Sequence, residues 1–334
     1  MRDARPAPRA DLFGAGLVAL AAACFGTLGP LSRFAGDAGV DSLILVTWRA
    51  AIGALVVTTF IALSWWLRGV RPTSLRTLPA RDRRFMVAAA VANMILNLAA
   101  FIAFGRITIA MTLLVFYLYP AGVAVVSTLF FGERIGRWGW AALAVSLVGM
   151  ALVVAGAGSL GAIDPVGIGL AFLAGMAQVF YVLAARHGFA HVPAPQAAVL
   201  TMAGASTLYV LVLAVGSVVG ITSLADLGQP LAGSEAIVPV LLAGIIGAGV
   251  PTLAFVTGIR RLGPSQAAII ATLEPVIGVG LAAWLLNERP APIQIVGGAL
   301  ILAAAAGLQL RPGPTADHEA IATRDHGADD VLPQ

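Results

Sequence analysis

Apolar positions in this chain run in long unbroken blocks; they neither alternate nor recur on one face. Ten blocks stand out, at roughly residues 12–32, 43–67, 85–105, 107–131, 137–156, 165–186, 195–220, 236–259, 264–286 and 291–310. Each is near the length of about 20 residues that carries a helix across a bilayer. Strands are not expected, because lipid leaves an open backbone edge without partners and an outer-membrane strand alternates polar with apolar. Polar residues are confined to short segments between blocks and to the two ends. The pattern predicts an all-α integral membrane protein. Composition agrees: 59% of the 334 residues are hydrophobic and 11% charged, against about 25% charged in a soluble domain.

The ten spans form two sets of five related by an offset of 155. Tyr119-Pro120 is followed by Gly132-Glu133-Arg134, and Leu273-Glu274-Pro275 by Asn287-Glu288-Arg289, with proline and glutamate 13 positions apart in both. The same offset aligns Arg106 with Arg261, Phe25 with Phe180, and the run after Trp138 with that after Ile293. Several matches at one offset argue for internal duplication. Five is odd, so the second set enters from the opposite side, and the expected fold is ten transmembrane helices as two inverted five-helix repeats. The domain plan is a polar segment 1–11, a first repeat 12–156, a linker 157–164, a second repeat 165–311 and a disordered tail 312–334.

Charge orients this array. All 20 cationic residues are arginine. With the N-terminus in the cytoplasm, 16 fall on the inner side, three (Arg33, Arg106, Arg289) on the outer side, and Arg49 within a span. The positive-inside rule then places both termini in the cytoplasm and the chain in the inner membrane. The net charge of +4 reads as a topology signal, not as nucleic-acid binding. The basic segment between the second and third spans also suits anionic head groups. The missing lysine excludes a P-loop and Schiff-base chemistry. A single cysteine, Cys24, excludes an internal disulfide and a Cys-based zinc site. The apolar run continues past Cys24, so the start is read as an uncleaved first span, with Gly26, Gly29 and Pro30 permitting a bend near its outer end.

Polar residues inside the spans are the candidate chemistry. In the second span Arg49, beside Trp48, costs about 2.5–3.5 kcal/mol on insertion scales. It serves either as an anion contact in a central cavity or as a snorkelling residue near the outer end. Asn93 and Asn97, four apart, share a face of the third span and either bond a neighbour or line a polar path. The fourth span brings Tyr117, Tyr119 and Pro120, the sixth Gln178 and Tyr181. Gly244, Gly247, Gly249 and Pro251 weaken the eighth and serve packing or a site equally well. Glu274 lies roughly 15 Å into the ninth span at 1.5 Å per residue and is the one acid placed well inside hydrocarbon. It carries a proton, contacts a substrate amine, or pairs with Arg49 or Tyr117 to hold helices together. Glu133 and Glu288 are expected to anchor span ends at the interface. His187 and His191 are spaced for a metal on a helix, but Pro193 and Pro195 interrupt the segment and no carboxylate is expected near, so no metal site is read there.

The five-plus-five plan, the paired Pro…Glu-Arg stretches, Trp48-Arg49 and Glu274-Pro275 resemble the EamA-type transporters of the drug/metabolite transporter superfamily, over about residues 12–310. The resemblance implies spans 1–4 and 6–9 around a cavity, with 5 and 10 peripheral. It also implies transport of small metabolites such as amino acids without a bound cofactor. The chain is therefore expected to be a secondary transporter, with export favoured and proton coupling one option, working by alternating access as a monomer or homodimer. Arg49, Trp48, Asn93, Asn97, Tyr117, Tyr119, Gln178, Tyr181 and Glu274 are the expected substrate-binding residues. The alternatives are a passive channel and a membrane-embedded lipid-modifying enzyme. The latter needs a cluster of acids or histidines at the membrane surface that the sequence does not show.

Overall fold

The computed structural model describes residues 11–69, 73–74, 76–104, 106–107, 109–156, 164–285 and 290–310. Residues 157–163 of the expected linker 157–164, the Asn287-Glu288-Arg289 stretch, residues 1–10 and residues 311–334 lie outside them. Among the described residues there are helices and no strands. Nine helical stretches are long and apolar enough to cross a membrane, and a shorter apolar helix follows at Pro292–Gly307. The spans run in order as α1 (Leu12–Gly26) with α2 (Leu28–Asp37), α3 (Ser42–Arg68), α4 (Ala80–Phe104), α5 (Ile109–Phe116) with α6 (Tyr119–Phe131), and α7 (Arg137–Ala155). The second half follows as α8 (Pro165–Leu183), α9 (Ala194–Val218), α10 (Ser234–Gly244) with α11 (Val250–Leu262), α12 (Pro264–Ala271) with α13 (Leu273–Leu285), and α14 (Pro292–Leu310).

Interruptions repeat with the duplication. The fourth span breaks at Tyr117 and the ninth at Thr272, again 155 apart. Each break precedes a proline by three residues. Pro120 and Pro275 lack an N–H, and their rings crowd the carbonyls four positions back, Phe116 and Ala271. The first span breaks at Thr27, whose hydroxyl donates to the Cys24 carbonyl at 2.6 Å. There Gly26 meets the ninth span: a Cβ on it would lie 3.0 Å from the Glu274 backbone oxygen. In the eighth span a π-helical turn, Ile245–Gly249, replaces a simple bend. Glycines in and just before this turn pack: a Cβ on Gly249 would meet Val56 at 3.0 Å, one on Gly244 Ile52 at 2.5 Å, and one on Gly247 Leu28 at 2.3 Å.

The two halves interlock. The first span packs on the eighth and ninth, and the sixth on the third and fourth. α7 and α14 pack on each other through Gly149 and Gly297, where a Cβ on Gly297 would lie 2.5 Å from the Gly149 oxygen. Their other sides carry exposed Trp140, Val148, Ile295 and Leu302.

Two ion pairs tie each half to the other on opposite faces. Asp11 caps α1 by accepting from the Gly14 N–H at 2.9 Å and takes Arg261 Nε at 2.7 Å. Asp164 caps α8 by accepting from the Val166 N–H at 3.0 Å and takes Arg106 Nε at 2.7 Å. Both carboxyls are held below the usual carboxylate range. For Asp164 the Val166 N–H leads, followed by Arg106. For Asp11 burial pushes upward, but the Gly14 N–H and Arg261 together outweigh it.

Three local expectations change. α4 starts at Ala80, so Arg81, Arg83 and Arg84 stand on the helix and not in a loop. Glu133 does not simply anchor at the interface: it accepts from Ser265 Oγ at 2.8 Å and docks the end of α6 on the start of α12. His191 does have a carboxylate near, because folding brings Asp82 Oδ2 to within 3.0 Å of its Nδ1.

Candidate functional site

Polar side chains from six spans converge where the halves meet, in two groups. Arg49 on α3 turns inward and donates to Asn97 Oδ1 at 2.5 Å. Asn97 donates in turn to the Asn93 carbonyl at 2.8 Å and to its Oδ1 at 3.3 Å. Tyr209 on α9 closes this group by donating to the same Asn93 carbonyl at 3.4 Å. In the second group the Tyr117 hydroxyl is the hydrogen-bonding partner of the Glu274 carboxyl. Tyr119 pairs with the Gln178 amide, and its ring stacks at a tilt 6.1 Å from that of Tyr117.

Arg49 and Glu274 link the groups. Each feels the charge of the other, yet no ion pair joins them among the described residues. The Arg49 Nε is buried without a hydrogen-bond partner. Such an orphan donor on a cation costs free energy unless something else meets it. Arg49, Asn93, Asn97, Gln178 and Glu274 are half-buried, so the seam between the halves is polar and not sealed.

Two expected residues stand apart. Trp48 points toward the loop side, where its indole N–H donates to the Leu227 carbonyl at 3.0 Å. Tyr181 is buried with its hydroxyl unpartnered; the nearby Thr201 hydroxyl donates to its own Ala197 carbonyl at 2.9 Å.

Other participants escape the sequence. A tyrosine such as Tyr209 inside an apolar run looks like ordinary packing, although the need of its hydroxyl for a partner was a usable signal. Arg260 reads as one of the loop arginines. In the structure it donates to the Ala185 and Phe189 carbonyls at 3.2 Å each, and to Val192, holding the end of the sixth span.

A family model for EamA-like transporters matches residues 12–155 and 165–309, once on each half. The chain belongs to the EamA-like transporter family. It is thus a membrane transporter of the drug/metabolite transporter superfamily, and the family consists of transporters, not enzymes. A solved structure described only as "Crystal structure of protein" is similar with a TM-score of 0.74 at 21% identity, over 89% of this chain and 96% of that one. At that identity the likeness concerns the fold. No curated protein matches the chain. In this EamA-like transporter the converging polar side chains therefore lie where two family repeats face each other.

Proposed function

We propose that the chain is an alternating-access carrier, exporting small metabolites such as amino acids or related compounds across the inner membrane, with both termini in the cytoplasm. Inverted repeats support this, since two similar halves of opposite orientation give inward-open and outward-open states of similar energy. The observation that carries the reading is the unpaired juxtaposition of Arg49 and Glu274 at the seam. A cation with an orphan Nε on one side and a carboxyl on the other fit the carboxylate and amine of a zwitterion. In this scheme Asn93, Asn97, Tyr117, Tyr119 and Gln178 supply neutral hydrogen bonds. Glu274 takes the substrate amine or a proton, which couples transport to pH.

Counterflow in proteoliposomes tests the carrier. Unlabelled amino acid on the far side should accelerate labelled uptake; no acceleration would indicate a passive pore. Arg49→Ala should weaken substrates bearing a carboxylate by about tenfold or more, the size of a lost charged hydrogen bond of roughly 1.5–3 kcal/mol, and weaken neutral analogues less. Equal loss for both would make Arg49 structural. Glu274→Gln should remove the pH dependence of transport, and an unchanged pH profile would exclude proton coupling through this residue.

A further inference from the structure

A groove of about 310 Å³ lies away from the central seam, between α4, α6 and α8. Its walls are Phe85, Val126, Phe130, Phe131, Phe180 and Leu183. Phe130 is 76% exposed and Phe131 44%, so the groove opens sideways into the bilayer. One end lies at the membrane face where α4 begins and α6 and α8 end, beside the arginine-rich segments. Arg81 stands there with its guanidinium 5.7 Å from the Phe85 ring centre. His187 stacks on Phe131 at 4.0 Å and 9°.

Two features make this more than greasy surface. The sixth span ends in a π-helical turn, Ala184–Gly188, which brings Ala184, His187 and Gly188 into the groove wall. Such turns are rare and mark functional places in helices. The charge at the mouth is also of one sign. Arg81 and Arg186 both lie close enough to act on His187. The neighbouring acid, Asp82, is 3% exposed and bonded to His191.

An apolar groove facing lipid accepts an acyl chain of any lipid. The cationic mouth at head-group level is what discriminates, because an arginine there attracts an anionic head group. We propose that the groove binds an anionic phospholipid, with one acyl chain along Phe130, Phe131 and Phe180 and the phosphate on Arg81. This inference is independent of what the central seam transports.

The test is native mass spectrometry of the full-length protein, titrated with phosphatidylglycerol or with phosphatidylcholine of identical chains. The wild type should retain phosphatidylglycerol preferentially. Arg81→Gln should lower that retention roughly fivefold, the effect of one arginine at the membrane surface. Arg83→Gln, two positions along the same helix and turned away, should leave it unchanged. Val126→Trp should fill the groove and reduce retention of both lipids. Should that variant not fold, Phe130→Ala at its exposed position reads the same chain contact. Equal retention of the two lipids by the wild type overturns the proposal. So does equal loss from Arg81→Gln and Arg83→Gln, which indicates diffuse surface charge. Displacement of the lipid by inorganic phosphate would assign the mouth to free anions, and a dimer insensitive to added lipid would assign the face to a second copy.

Discussion

At the scale of single residues, Arg49 is held by a neutral partner. Among the described residues its hydrogen bond goes to Asn97, which is positioned by Asn93 one turn earlier. Removing Asn97 leaves a cation at membrane depth with no partner, at a cost of about 1.5–3 kcal/mol. Asn97→Ala should therefore lower the unfolding midpoint in detergent clearly, and Asn97→Asp should restore it by supplying a carboxylate. Tyr209→Phe removes a long bond to the Asn93 carbonyl, which keeps its Asn97 donor, and a contact of the hydroxyl with the Asn97 side chain, and should cost about 0.6 kcal/mol per bond, the average for such bonds in membranes. If the two losses are equal, Arg49 is satisfied from elsewhere. Arg49 and Glu274 were legible in the sequence because a charge inside an apolar run is costly and conspicuous. The pairings Asp11–Arg261 and Asp82–His191 were not, because they join residues 250 and 109 positions apart.

At the scale of elements, the spans were legible and their interruptions only partly so. Length and apolarity mark a span, and a proline marks a weakness, so the breaks ahead of Pro120 and Pro275 follow from residue type. The π-helical turn at Ala184–Gly188 falls where Arg186 and His187 end an apolar run, and that at Ile245–Gly249 falls in the glycine-rich stretch that weakens the eighth span, but neither signal distinguishes a π turn from a plain helix end or bend. The start of α4 was set too late because arginines read as loop, whereas a helix can extend past the hydrocarbon into the head groups. The close approach of α7 and α14 uses glycines on both sides, and each backbone lies where the other's Cβ would go. Small residues at such crossings permit the packing that holds membrane helices together. Gly297→Ala should force α14 away from α7, with a loss of about 1–3 kcal/mol typical of overpacking. An exposed position such as Ala303 offers the control, since Ala303→Gly changes propensity without touching the seam. A normal melting curve and normal transport for Gly297→Ala would show that the two helices separate freely.

For the whole molecule, the two cap-and-arginine pairs form a symmetric set, one on each face, each joining the first helix of one half to the end of the third span of the other or the turn just after it. Both are closed in this structure. A carrier that opens one face at a time stretches the contacts between halves on that face; if the chain alternates access as proposed, the pairs act as opposed latches whose balance sets which state is populated. Asp164→Asn should then favour opening of the Arg106 face, and Asp11→Asn opening of the Arg261 face. In proteoliposomes of known orientation, the half-saturation concentrations measured from the two sides should move in opposite directions for these variants. Exchanging the partners, Asp164→Arg with Arg106→Asp, should return the balance toward wild type. Acid should not imitate the variants until it is strong. Both carboxyls are held below the ordinary carboxylate range, near pH 4 in free peptides. The pairs thus contribute above that range and are lost only as the pH falls through the lowered values. If both variants shift the same side, or if mild acid reproduces them, the pairs are static fasteners and the barrier between the two states lies at the seam around Arg49 and Glu274.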